Sequence, residues 1–239
     1  MFQWGSEVDS LPERDMNLDS VATLRRLVTI LGALIAVLFF APFALADKRT
    51  RRAPGLWIGS SYFLLVGAAF MLIELPWVQQ SMLLLGHPSH AAAVTLAALL
   101  CGAGIGSSLA ARVSTTTLGR LLIALPAAAA LAVFAIEPVF RHALQYPAPL
   151  RVLVACVSFA APGSLMGIAL PAGFMRFGEE HKAWFWAVNG AASVLASVLS
   201  VALSIAFGFR ATTLIAVTLY VAAVALFHLY RPGASAQRA

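Results

Sequence analysis

Glu74 is the residue that an apolar setting should tolerate least. It stands in Met71-Leu-Ile-Glu-Leu-Pro-Trp-Val-Gln-Gln80, and a carboxylate at the centre of a membrane helix costs about 2.5–3.5 kcal/mol on insertion scales. Two residues on, Pro76 lacks an N–H and so frees the carbonyl four residues before it. Gln79, Gln80, His87 and His90 then supply polar groups without formal charge. This set could hold a cation or a proton at a membrane edge. The plainer alternative is a Glu74 side chain that hydrogen-bonds a neighbouring helix and fixes packing.

Two further segments carry polar or irregular chemistry. Asn189, Ser193, Ser197, Ser200 and Ser204 recur at spacings of four, four, three and four, which places them on one helix face. Small hydroxyl residues either seal helices together or line a ligand path, and Asn189 offers both donor and acceptor groups. Pro162-Gly163, Gly167, Pro171 and Gly173 predict a broken helix. Unwound backbone at membrane depth is tolerated where it is buried in protein or lines a wet cavity, and a simple proline kink is the competing reading. The candidate ligand-binding residues are therefore Glu74, Gln79, His87, Pro162, Asn189 and Ser193.

Other patterns point away from catalysis. Cys101-Gly-Ala-Gly-Ile-Gly-Ser-Ser108 contains GxGxG, but a dinucleotide fingerprint follows a strand and opens a helix, whereas this run lies inside an apolar stretch. Gly102 and Gly106 instead form a GxxxG pair suited to close helix contact. His181 sits beside Glu179, Glu180 and Lys182, and the other histidines are scattered, so no nucleophile–base pair can be named. No Cys/His cluster has metal-ligand spacing. Cys101 and Cys156 read as small apolar residues. No cofactor, metal or enzymatic activity is expected.

The elements that must position these residues follow from composition. Of 239 residues, 61% are hydrophobic and 11% are charged, against roughly 25% charged in an ordinary soluble domain. Too few polar side chains remain to cover a water-soluble surface, so the excess must face lipid. A span needs about 20 apolar residues. Seven stretches qualify: 27–46, 56–75, 91–111, 118–136, 149–170, 184–207 and 211–230. The sequence thus predicts an all-α, polytopic membrane helix bundle of about seven transmembrane helices over 27–230. An acidic polar tail precedes it at 1–26 and a short polar tail follows at 231–239. Ala44-Leu45-Ala46 resembles a signal-peptide cleavage site, but the basic cluster from Lys48 to Arg52 favours a retained span.

The net charge of +6 falls in short Lys/Arg clusters between apolar runs, as at membrane flanks, and not in a nucleic-acid-binding stripe. With seven spans, one side gathers Lys48, Arg49, Arg51, Arg52, Arg112, Arg120, Arg176, Lys182, Arg231 and Arg238. The other holds Arg14, Arg25, Arg26, Arg141, Arg151 and Arg210. The excess of positive charge puts the C-terminus in the cytoplasm, although Arg25 and Arg26 pull the other way.

Several motifs together resemble a family. Phe70-Met-Leu-Ile-Glu-Leu-Pro-Trp-Val-Gln79, Leu85-Gly-His-Pro88, Gly102-x-Gly-x-Gly-Ser107, Met166-Gly-Ile-Ala-Leu-Pro171, Trp184-x-Trp-Ala-Val-Asn-Gly-Ala-Ala-Ser-Val194 and Gly208-Phe209 are similar to the membrane region of bacterial spermidine-synthase-like membrane proteins. The resemblance runs over 56–210. It implies a bacterial inner-membrane protein whose relatives pair such helices with a Rossmann-like aminopropyltransferase domain using a decarboxylated S-adenosylmethionine-type donor. This chain lacks the strand–helix alternation of that domain, so catalysis is not carried over. The expected function is a non-enzymatic integral membrane module that binds or moves a small cationic, polyamine-like solute. The alternative is a structural subunit that anchors a separately encoded partner through the acidic tail or its helix faces. The expected partners are the lipid bilayer and either another protein or a second copy, with no nucleic acid.

Overall fold

A computed structural model describes residues 55–230, together with isolated helical positions between 22 and 33. Most of the expected first span and of the acidic tail, and all of the C-terminal tail, lie outside the described residues. Five helices follow in order: α1 (Leu56–Leu85), α2 (Pro88–Ala110), α3 (Thr115–Ala143), α4 (Ala148–Phe177) and, after a 3-10 turn at Glu179–His181, α5 (Lys182–Leu229). All five are long and apolar enough to cross a membrane, and no strand occurs among the described residues. The architecture is all-helical, consistent with a membrane protein.

The count of about seven is not supported. The first stretch falls largely outside the described residues, and the sixth and seventh form the single 48-residue α5. That helix is not straight, because Gly208 has φ 83° and ψ 164°, a conformation far from helical. The Ser204 hydroxyl lies 3.4 Å from that of Thr212, whereas eight residues of straight helix rise about 12 Å. Both ends of α5 return to the start of α1: Phe185 stacks on Phe63 at 4.7 Å, and Phe227 lies 6.1 Å from Tyr62. The chain therefore reverses at Gly208, and α5 is a hairpin of two arms.

Two expected breaks are also absent. α1 continues through Pro76 to Leu85, ten residues past the expected end, and α4 runs unbroken through Pro162 and Pro171. Backbone groups in hydrocarbon have no water to turn to, so a membrane helix absorbs a proline by keeping its remaining bonds.

Packing follows two kinds of seam. α2 and α4 run parallel and touch backbone to backbone. A Cβ at Gly102 would strike the Ala160 carbonyl, one at Gly106 the Ser164 carbonyl, and one at Gly167 the Ala103 carbonyl. Two GxxxG pairs interleave, the arrangement that lets membrane helices approach closely. α1 is the most enclosed helix and contacts the α5 hairpin more extensively than any other neighbour. An aromatic cluster of Tyr62, Phe63, Phe177, Phe185 and Phe227 closes the end where α1 begins. There Arg176 donates to the Phe227 carbonyl at 3.2 Å and to that of Tyr230, tying α4 to the end of α5.

Candidate functional site

The polar stripe of the first α5 arm meets α1. Asn189 Nδ2 donates to the Phe63 carbonyl at 3.0 Å, and Ser193 Oγ lies 3.2 Å from the Gly67 carbonyl and 2.9 Å from that of Asn189. Gly67 makes this possible, since a Cβ there would stand 2.5 Å from the Asn189 carbonyl and 2.7 Å from its side-chain nitrogen. Contact advances from Gly59 with Phe185 to Gly67 with Ser193, so α1 and this arm run parallel. At this level the Asn189 amide nitrogen and the Ser193 hydroxyl bond the two helices together.

Two turns further the pattern changes. Seven residues rise about 10.5 Å and return to nearly the same helix face. Advancing from the Gly67–Ser193 contact along both helices therefore brings Glu74 opposite Ser200. Glu74 is partly buried and makes no hydrogen bond or ion pair among the described residues. Ser200 is 0% exposed and its hydroxyl has no hydrogen-bond partner. The contrast with other helix serines is instructive. Ser81, Ser108, Ser164, Ser193 and Ser197 each donate to a carbonyl three or four residues back, and Ser200 does not.

The second α5 arm contributes Tyr220, also 0% exposed with an unpartnered hydroxyl. This arm runs antiparallel to α1, so stepping back seven residues from the Phe227–Tyr62 contact sets Tyr220 beside Ala69. A long helical side chain leans toward its own N-terminus, which on this arm is toward Glu74. Tyr62, by contrast, is satisfied by the Ala169 carbonyl at 2.7 Å.

Register thus sets Glu74 opposite the Ser200 hydroxyl on the α1–α5 seam, with the Tyr220 hydroxyl on the same seam nearer Ala69. Leaving a buried donor or acceptor unpaired costs about 1–3 kcal/mol, so two of them on one seam call for an explanation. The set is oxygen only. It can hold a proton, an ammonium group or a hard alkali cation, while soft thiolate or imidazole chemistry is lacking. Among the described residues no group of three or more His, Cys, Asp or Glu side chains could hold a metal ion.

The remaining expected site residues go elsewhere. His87 is exposed at the N-cap of α2, its ring 5.4 Å from that of His90. Gln79 is partly buried within α1, beyond Glu74. Pro162 is buried in a cavity between α3 and α4, and neighbouring Gly163 faces Leu99 of α2. The structure therefore joins Asn189 with Ser193, places Glu74 two turns away on the same seam, and separates His87 and Pro162 from both. Tyr220 escapes a sequence reading, because a lone tyrosine in Thr218-Leu-Tyr-Val221 carries no pattern. Ser200 belongs to the recognised stripe without being distinguished from its neighbours. No protein-family model, curated protein or solved structure matches this chain.

Proposed function

We propose that this chain is a non-enzymatic integral membrane protein that binds, and through that site moves, a small cationic solute between α1 and the α5 hairpin. The observation that carries the reading is Glu74, a carboxylate without a partner among the described residues, set by register opposite the buried Ser200 hydroxyl, which also lacks one, as does that of Tyr220 on the same seam. In hydrocarbon such groups are costly, and those that persist commonly mark ion or proton paths. The polyamine-like character of the solute rests on the motif resemblance alone. The reading places the protein in a bacterial inner membrane with its C-terminus in the cytoplasm. It has α5 cross twice, with the stretch 27–46 as a further span.

The test is a thermal-unfolding titration of the purified protein in detergent with sodium, potassium and spermidine chlorides. A site-specific ligand at a hundredfold its Kd stabilises by about 2.7 kcal/mol. One of the three is expected to raise the Tm, and Glu74→Gln to abolish that rise. Asn189→Ala should lower the starting Tm yet leave the rise in place, because Asn189 bonds only the neighbouring helix. A rise that survives Glu74→Gln, or no rise with any cation, defeats the proposal.

The Asn189–Phe63 and Ser193–Gly67 bonds favour a second reading, a structural subunit anchoring a separate protein. A scaffold would copurify with a stoichiometric partner and would tolerate Glu74→Gln without loss of that partner.

A further inference from the structure

A second site lies at the opposite end of the bundle from the aromatic cluster, independent of Glu74. A cleft of about 560 Å³ opens where the ends of α1 and α3 meet the Gly208 reversal, within the 300–1,000 Å³ range of small-molecule sites. Its walls include Leu83, Val133, Phe140 and Phe209, and its charged groups are Glu137, Arg141 and Arg210.

The charges are arranged unevenly. Glu137 Oε1 takes Arg141 Nη2 at 2.6 Å, and Glu137 Oε2 meets Arg210 Nη2 at 3.4 Å. One carboxylate is thus shared by two guanidinium groups, leaving the trio with a net single positive charge. Each guanidinium carries five N–H donors in a fixed fork, and most stay available to another anion. Arg210 is steadied by the Phe134 ring, 5.7 Å from its centroid. Arg141 and Arg210 are 77% and 58% exposed, so their pairing with Glu137 is weak enough to yield to a competing anion.

The apolar part of the cleft opens sideways. Leu83 is 76% exposed at its mouth, on a helix long and apolar enough to span a bilayer. The charged part sits at the helix ends, beside the link that follows Ala143. A molecule matching both parts has an alkyl chain for the walls and a negative head for the two arginines. Guanidinium groups bind phosphate oxygens through charge-assisted, often bidentate hydrogen bonds.

We propose that this cleft binds one anionic phospholipid, its phosphate against Arg141 and Arg210 and an acyl chain along Leu83 and Phe140. The full chain in mild detergent is incubated with dioleoyl phosphatidylglycerol or dioleoyl phosphatidylcholine, and retained lipid is counted by native mass spectrometry. The expected result is one retained phosphatidylglycerol, with phosphatidylcholine held at least about tenfold less well, and retention weakened about tenfold or more in Arg141→Glu/Arg210→Gln. If the double variant does not fold, Arg141→Glu alone decides, since its side chain is largely exposed and Arg210 still serves Glu137. Equal retention of the two lipids overturns the proposal, as does unchanged retention in the variants. Displacement of the lipid by inorganic phosphate also overturns it, because the cleft would then recognise a free anion with no need of the chain.

Discussion

Removing the hydroxyls of Ser200 and Tyr220 should make the protein more stable and less functional at once. Both side chains are 0% exposed and neither hydroxyl has a partner. Tyr220→Phe and Ser200→Ala each delete a polar atom while leaving the surrounding shape nearly intact. Relieving an unpaired buried hydroxyl returns at least about 1 kcal/mol each, so about 2 kcal/mol together. At about 2–4 °C per kcal/mol for a chain of this size, the double variant should unfold about 4–8 °C higher in detergent without added cation. Ser193→Ala is the control two turns away on the same face. Its hydroxyl is bonded to Asn189 and reaches Gly67, so the same chemical change should lower the Tm by about 2–4 °C, a loss of about 1 kcal/mol. The assay is thermal unfolding followed by intrinsic tryptophan fluorescence, with and without the stabilising cation. The double variant should lose the cation-dependent rise that Ser193→Ala keeps. If Ser200→Ala and Ser193→Ala shift the Tm in the same direction, the two hydroxyls are not differently placed and the reasoning fails.

Three other outcomes test the architecture. Gly106→Ala should destabilise by about 1–3 kcal/mol, because its new methyl meets the Ser164 carbonyl and no side chain can give way. Gly104→Ala has nothing within 4 Å and should stabilise by up to about 1 kcal/mol through helix propensity; denaturant unfolding in detergent reads both signs. Gly208→Ala should cost about 1–3 kcal/mol in the same measurement, since its φ and ψ belong to a region that almost only glycine visits. Single cysteines placed at Gly86 and Phe209 in a variant lacking Cys101 and Cys156 should react with an impermeant thiol reagent from one side of the membrane. A cysteine at Gly178 should react from the other side. Labelling of Phe209 and Gly178 positions from the same side would exclude a twice-crossing α5.

The sequence makes the helices legible because hydropathy reports which segments hydrocarbon can solvate. The Gly102/Gly106 pair was equally readable, since only a close helix neighbour gives that spacing a purpose, and the structure supplies it in α4. The stripe from Asn189 to Ser204 likewise marks a face that packs. Proline misled the reading at Pro76 and Pro162, where its habit of ending helices in water was applied to chain that has no water to turn to. The hairpin at Gly208 was read as a loop between two helices, although a single glycine makes the reversal. Which helices lie side by side was out of reach. Glu74 drew notice by its charge, whereas its neighbours Ser200 and Tyr220 come from distant parts of the chain, and only the register of three antiparallel and parallel segments brings them to it.

The two seams of the bundle are bonded differently, and the proposed site rests on that contrast. Where α2 meets α4, glycines bring backbone against backbone and leave no room for anything else. The α1–α5 seam starts in the same manner, with Gly59 under Phe185 and Gly67 under Asn189, and each polar group there has a partner. Past that point α1 offers a glutamate in place of a glycine, and the bonding stops. A seam built only for adhesion would have continued its pattern of small and paired residues through Ser200. Along the first α5 arm, Ser200 thus stands between Asn189 and Ser193, which bond α1, and Ser204, which meets Thr212 of the other arm. Under the proposed function, a cation at Glu74 would come and go while the Asn189 and Ser193 bonds keep α1 and α5 together.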